Sequence, residues 1–359
     1  MIKANKPIAD MAPYAIADLL VHDRMPLLSM AQNESFRPPT PHVLTAARTA
    51  VQFAADYPNP DYPDLRAVIA QQHGIDPDDI LLGAGSMELI TCITQAFAGP
   101  GRRVLTTEYG YALFKNSAEK VQAEYDLAPE ENFTVSVGAL LGAVRDDTVL
   151  VFVANPGNPT GTRLLRSEIV RLRDALPGSI LLVIDEAYGE FADGLDDPLF
   201  DLVEKGNTIV LRTFSKAYGL ASARVGWGLF PRDIGVEVRK LIIPSSSSSV
   251  SASMAKAATL DQDYMRQTCE LTAEARHSFQ KRIEAMGLSC ANSHTNFLLI
   301  QFPSEAQARS ADEALRGVGI VMRGMGGYGL PHCLRATIAS EAVMKLAGDT
   351  LEEWKEEMF

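Results

Sequence analysis

The sequence predicts an α/β protein: a large domain with a mostly parallel sheet covered by helices on both faces (α/β/α), accompanied by a smaller α+β domain. Three observations carry that reading. Residues 80–240 alternate short, β-branched apolar runs with amphipathic segments of helical period, the pattern of repeated strand–helix crossovers. The loops "NPGNPTG", "DEAYGE" and "TFSKAYG" all follow such runs, which places them at the carboxyl edge of the sheet, where ligands bind in open α/β folds. Beyond about residue 245 the character changes to long charged helical patterns interleaved with the strands "TNFLLIQF" and "HCLRATIA".

Taken in order, "DDILLGAG" reads as a strand and a Gly-rich turn. The segment "SMELITCITQAF" follows as a helix, with Met87, Ile90, Ile93 and Phe97 at helical spacing and Ser86 as its candidate cap. Next come the strand "RRVLTTE", the helix "YALFKNSAEKV", the strand "TVLVFVANP", the helix "SEIVRLRDAL" and the strands "SILLVIDEA" and "TIVLRTFS". The run "PSSSSSVSAS" at 244–253 has a linker's composition, but it leads straight into an apolar helical pattern and is read as a polar turn that starts a helix. The expected division is an N-terminal arm, residues 1–38, that forms part of the small domain, a large domain over 39–243 and the small C-terminal domain over 244–359. No internal repeat is visible.

With 359 residues, 47% of them hydrophobic, the chain can bury a large core. A formal net charge of -12 without a local basic patch argues against nucleic acid or an anionic membrane as partner. Cys92, Cys269, Cys290 and Cys333 are scattered without C-x-x-C spacing, which fits small apolar residues in a reducing compartment rather than a disulfide framework or a zinc cluster. The six histidines lack metal-ligand spacing, so no metal is expected. The N-terminus has no uninterrupted apolar stretch, and no apolar run approaches the roughly 20 residues that span a bilayer. A soluble, cytoplasmic protein is the expectation.

The stretch "TFSKAYGLASARVGW" crowds Lys216 among Thr213, Ser215 and Arg224. Two hydroxyls and a guanidinium can hold a phosphate by charge-assisted hydrogen bonds. A lysine there is a solvated helix-start residue, a phosphate binder or a Schiff-base lysine carrying pyridoxal phosphate. The loop Gly83-Ala84-Gly85-Ser86 before a helix offers backbone N–H groups to an anion. It departs from a dinucleotide fingerprint by placing Glu88 where glycine is wanted, although Glu108 stands near that fingerprint's acidic position; a nicotinamide dehydrogenase stays a rival. Asp185 ends the apolar run "ILLVID" and needs a strong partner, either a capping N–H or a protonated pyridine nitrogen. Tyr188 and Asn158 are candidates for a cofactor's phenolic oxygen and Tyr111 for stacking on its ring; the alternatives are a turn residue and packing tyrosines. Arg335, in the apolar "CLRATIA", needs an anion, either a protein carboxylate or a substrate carboxylate or phosphate. Arg323 in "VMRG" is a second candidate for that anion or a solvated loop arginine.

Together these residues make the chain resemble the fold-type I aminotransferases, and among them the histidinol-phosphate aminotransferase branch. The resemblance runs nearly the full length through "PYAIADLL", "AQNESFRPP", "DYPNPDYPDLR", "GAGSMELI", "NPGNPTG", "VIDEAYGEF", "RTFSKAYGLASARVGW", "SHTNFLL" and "GYGLPHCLRATIAS". It implies pyridoxal 5'-phosphate as cofactor, with Lys216 as Schiff-base lysine and proton shuttle, Asp185 on the pyridinium nitrogen, Tyr188 and Asn158 at the phenolic oxygen and Tyr111 on the ring. The phosphate would lie among Gly85, Ser86, Met87, Thr213, Ser215, Arg224 and, from a second subunit, Tyr57, which implies a homodimer. Arg335, with Arg323, would bind the anionic end of the substrate, and Tyr14 and Asn33 would line the pocket from the N-terminal arm. The implied reaction moves an amino group between glutamate and histidinol phosphate or a similar substrate, with ping-pong kinetics. Three departures, "NESF" for "NENP", serines over 244–248 for a tyrosine-containing segment and "LASAR" for "LAGLR", lie mainly around the substrate. They keep aromatic amino acid transamination and decarboxylation of a phosphorylated amino acid as alternatives.

Overall fold

The structure is a computed structural model that describes all residues except 1, 3, 5, 13–16, 22–25, 193, 195–197, 358 and 359. Its strands are numbered along the chain as β1 (Leu28–Met30), β2 (Ile80–Gly83), β3 (Arg103–Thr107), β4 (Glu124–Ala128), β5 (Glu130–Glu131), β6 (Thr134–Val135) and β7 (Thr148–Ala154). They continue as β8 (Leu181–Asp185), β9 (Thr208–Thr213), β10 (Gly226–Leu229), β11 (Ser289–Cys290), β12 (Phe297–Gln301), β13 (Ile320–Met325) and β14 (Leu330–Thr337).

The larger sheet has the order β2-β10-β9-β8-β7-β3-β4. Its strands from β9 to β4 run parallel, and β10 is antiparallel to both neighbours. Period-2 alternation sends Leu182 and Ile184 into a core with Leu105, Val151 and Val210, and sends Leu181 and Val183 into another with Val104, Phe152 and Ile209. Both faces are buried, which is why these strands read as continuous apolar runs. Each such side chain stabilises the fold by about 1.5–3 kcal/mol on leaving water. One face is covered by the helices Ser86–Phe97, Ala112–Lys120 and Arg232–Arg239, the other by Pro63–His73, Val137–Ala143, Arg166–Ala175 and Ser249–Thr259.

The smaller sheet has the order β1-β13-β14-β12-β11. The N-terminal arm enters it as β1, parallel to β13, with Leu28 opposite Ile320 and Met30 fully buried. The helices Glu305–Gly317 and Glu341–Glu357 cover this sheet through Ala308, Leu315, Ala347 and Leu351.

The serine run turns and starts a helix: Ser248 caps Ser249–Thr259, accepting from Ser251 N at 3.0 Å. That helix buries Ala255, Ala257 and Ala258 in the core of the larger sheet. The chain passes to the other core only inside the helix Gln262–Ala285, whose Met265 belongs to the first core and whose Phe279 and Ile283 belong to the second. The change of core therefore falls in that helix rather than at residue 244; polar composition marks the turn, whereas the apolar alanines after it set where the segment packs.

Candidate active site

A cavity of about 550 Å³ opens where β7, β8 and β9 end beside β13 and β14. At one part of it the helix Ser86–Phe97 begins immediately after β2. Gly85, not Ser86, is the cap residue, at φ +77°, and Ser86 takes the first helical position. The positive φ at Gly85 favours glycine, and a Cβ there would lie 2.5 Å from Arg224 Nη2, so the arginine would have to withdraw. At Gly226 a side chain does not fit, because a Cβ would lie 2.2 Å from Ser86 N, a backbone atom. The two glycines let the start of β10 approach the helix N-terminus and bring Arg224 over it. Arg224 Nη1 donates to Ser215 Oγ at 3.3 Å and to the Ala221 carbonyl at 2.9 Å, and Ser215 N donates to Thr213 Oγ1 at 3.2 Å. Ser86, Met87, Thr213, Ser215 and Arg224 all line the cavity. A helix N-terminus, hydroxyls and a guanidinium thus converge as an anion cup.

The residues weighed for a dinucleotide are otherwise engaged. Glu88 Oε2 accepts from Ala84 N at 2.6 Å and Ser246 Oγ at 2.7 Å, tying the glycine turn to the serine run. Glu108 accepts from Glu130 N at 3.4 Å and is not among the cavity-lining residues.

Lys216, just past β9, sends Nζ to the main-chain carbonyls of Asn33 at 3.0 Å and Gln32 at 3.3 Å. Burial pulls its amine down to about 7; the Arg335 guanidinium acts in the same direction and Glu34 opposes it. Asp185 ends β8, is 4% exposed and accepts from Ala187 N at 3.1 Å. Burial pushes its carboxyl up to about 7 despite that N–H, so it has the capping partner and room for a cationic one. The adjacent Glu186 does not line the cavity and pairs with buried Arg212 at 2.8 Å, so of the two neighbouring carboxylates Asp185 alone reaches the cavity.

Tyr188 Oη accepts from Asn33 Nδ2 at 2.7 Å, and its ring meets Phe297 edge-on at 5.3 Å. Burial raises its phenol to about 12. Arg335 is 7% exposed and donates to Asn158 Oδ1 at 2.5 Å and to the Ala31 carbonyl at 2.8 Å. Arg323 lies in β13 as the Cα partner of Arg335 in β14, a strand residue facing the cavity rather than a solvated loop arginine. Tyr111 lines the cavity from the cap position of the helix Ala112–Lys120 and meets Phe114 edge-on. Tyr57 is 96% exposed and does not line its own chain's cavity. Tyr14 lies outside the described residues.

The cavity also holds Gln32, Glu34, Ser222 and Tyr328, which the sequence reading did not single out. They sit inside the quoted stretches "AQNESFRPP", "LASAR" and "GYGLPH", but nothing local marks them. The bond from Lys216 to the arm, for instance, spans 183 positions.

Residues 26–349 match the family model described as aminotransferase class I and II. A histidinol-phosphate aminotransferase of Ruegeria pomeroyi is 37% identical over 97% of this chain and 97% of its own length. The crystal structure of histidinol-phosphate aminotransferase from Sinorhizobium meliloti in complex with pyridoxal-5'-phosphate superposes with a TM-score of 0.88 at 31% identity, covering 94% of this chain and 93% of that one. L-threonine-O-3-phosphate decarboxylase from Porphyromonas gingivalis shares the fold, with a TM-score of 0.81 at 21% identity over 92% of this chain and all of that one. The donor set fits that cofactor: an anion cup that no Cβ fills, a buried amine near neutrality and a buried carboxyl held by one main-chain N–H within one cavity. The chain belongs to the aminotransferase class I and II family and is a pyridoxal-phosphate-dependent transaminase of the fold-type I architecture.

Proposed function

We propose that the protein moves an amino group between glutamate or 2-oxoglutarate and histidinol phosphate or its ketone, imidazole acetol phosphate, or a closely similar substrate. One observation carries this reading: Arg323 and Arg335, opposed across β13 and β14, present two guanidiniums to one cavity in addition to the anion cup. A single substrate carboxylate needs one bidentate arginine, whereas a phosphate monoester carries about -1.5 to -2 charge and suits two. The names of the relatives at 37% and 31% identity support the same substrate.

Pyridoxal phosphate, when bound, supplies the electron sink and carries the amino group between half-reactions. Gly85, Ser86, Met87, Thr213, Ser215 and Arg224 hold its phosphate, together with Tyr57 of the partner subunit. Asp185 keeps the proton on its ring nitrogen, Tyr188 and Asn158 face its phenolic oxygen, and Tyr111 covers the ring. Lys216 Nζ, whose basicity lies near neutrality, takes the substrate's α-proton and returns it, since a base works best when its pKa is near the working pH. Arg335 and Arg323 fix the anionic end of the substrate, and Asn33 closes the wall from the N-terminal arm. Both substrates use the one cavity in turn, which gives ping-pong kinetics.

The working form is a cytoplasmic homodimer. Exposed Val51, Phe53 and Tyr57, with Leu241 and Ile243, support a subunit interface around the Tyr57 loop. Among the described residues no helix is long and apolar enough to cross a membrane.

The test is a single-turnover absorbance experiment in which the loaded enzyme is mixed separately with glutamate, phenylalanine and histidinol phosphate. Rapid spectral conversion with glutamate and histidinol phosphate is expected. Conversion with phenylalanine but not histidinol phosphate makes the enzyme an aromatic amino acid aminotransferase, and carbon dioxide release without a 2-oxo acid makes it a decarboxylase.

A further inference from the structure

Asn33 uses every polar atom it has. Its main-chain N–H donates to Thr337 Oγ1 at 2.9 Å, and its carbonyl accepts from Lys216 Nζ at 3.0 Å and Asn296 Nδ2 at 3.1 Å. Its side-chain Oδ1 accepts from Thr337 Oγ1 at 3.2 Å, and Nδ2 donates to Tyr188 Oη at 2.7 Å. The residue is 2% exposed and holds φ at +55°, a left-handed conformation that asparagine tolerates better than most side-chain-bearing residues.

These bonds have a direction. The Thr337 hydroxyl accepts from the Asn33 N–H at 2.9 Å and donates to Asn33 Oδ1, the amide atom that lies 3.2 Å from it. The amide oxygen is thereby set toward Thr337 and the amide nitrogen toward Tyr188. An amide NH₂ only donates, so the Tyr188 oxygen must accept, and the phenolic proton is left for another acceptor. Tyr188 lines the cavity, and burial keeps its phenol neutral at working pH, so the proton is there to give.

We infer that Asn33 and Thr337 are positioning residues: together they orient the Tyr188 hydroxyl as a hydrogen-bond donor into the cavity. Thr337 does not line the cavity and acts only through Asn33. The same asparagine holds the Lys216 amine through its carbonyl, so the arm orders both the donor and the base. This inference rests on the reading of Tyr188 as a contact of the cofactor's phenolic oxygen.

The experiment compares Tyr188→Phe, Asn33→Asp, Thr337→Val and Thr337→Ser in two readouts: the dissociation constant for pyridoxal phosphate, by equilibrium dialysis, and the pH midpoint of the bound cofactor's visible absorbance. An oxygen that loses a donor holds its own shared proton more tightly, so Tyr188→Phe raises the midpoint. Asn33→Asp presents an acceptor where an NH₂ stood, draws the Tyr188 proton toward residue 33 and moves the midpoint in the same direction. Thr337→Val follows with weaker cofactor binding, on the order of tenfold for one lost buried hydrogen bond. Thr337→Ser keeps the hydroxyl and restores the parental values. If Tyr188→Phe shifts the midpoint while Asn33→Asp and Thr337→Val do not, the orienting role is overturned. If Tyr188→Phe shifts neither readout, the reading of Tyr188 falls first and the inference with it. A Thr337→Ser variant as impaired as Thr337→Val shows that packing, not the hydroxyl, matters there.

Discussion

The guanidinium of Arg335 donates to the side-chain oxygen of Asn158 at 2.5 Å, bonding a strand of the smaller sheet to the loop after β7 of the larger one. A second donor from the same arginine reaches the Ala31 carbonyl of the N-terminal arm. One buried cation thus ties together three chain segments that line the cavity.

Removing it should be costly. Arg335→Ala is expected to lower kcat/KM for anionic substrates by about 2–5 kcal/mol, the range for losing a buried charge partner. Arg335→Lys should recover little, because an ammonium is a point charge without the planar fork. Steady-state kinetics with glutamate decides; a loss below threefold would contradict the assignment.

Lys216→Ala should abolish turnover yet leave the far-ultraviolet dichroism and melting temperature close to those of the parent. In the cofactor-free parent, capture of pyridoxal phosphate should quicken as pH rises through about 7, because the neutral amine is the nucleophile and burial has lowered its basicity to that value. Glu34 raises the amine's basicity, so Glu34→Gln should move this profile to lower pH. A rate that is flat between pH 6 and 8 would count against the buried-amine reading.

Gly226→Ala tests the cup. The added methyl meets main-chain atoms, Ser86 N at 2.2 Å and the Gly85 carbonyl carbon at 2.6 Å, so the backbone rather than a flexible side chain has to move. Overpacking of this kind costs about 1–3 kcal/mol, and the displaced helix start should weaken pyridoxal phosphate binding as well. Thermal denaturation with and without cofactor separates the two effects. A variant with parental affinity would mean that the contact is incidental.

Tyr57 is exposed and does not line its own chain's cavity, so its role is tested by complementation. Tyr57→Ala should weaken cofactor binding, and mixing it with Lys216→Ala should restore part of the activity, since one site of each hybrid dimer then carries both intact residues. Failure to regain activity in verified hybrids would remove Tyr57 from the site.

Much of this was legible along the chain because of how parallel sheets are wound. Right-handed crossovers bring the carboxyl ends of the parallel strands to one edge, so the loops that carry Asn158, Asp185, Tyr188, Thr213, Ser215 and Lys216 meet there once their strands are recognised. The glycine turn at Gly83 and Gly85 offered backbone N–H groups to an anion, but by itself it left a phosphate cup and a dinucleotide fingerprint both open. Ser86 as cap was the small error: the cap position holds φ at +77°, a conformation that favours glycine, and Gly85 is that residue.

Other features have no local signature. Arg323 lines the cavity through its register opposite Arg335, and Asn33 through an arm that joins the smaller sheet as an edge strand. Glu186, identical in local context to Asp185, faces Arg212 instead of the cavity because successive strand-end residues point to opposite sides. Residue types and periodicity along the chain specify the strands, the helices and the chemical vocabulary of the site, because those depend on neighbours within a few positions. Which arginines face one another and which carboxylate turns from the cavity follow from strand register, and the contacts of Asn33 with Tyr188 and Thr337 span 155 and 304 positions, so only the tertiary structure brings such residues within hydrogen-bond range.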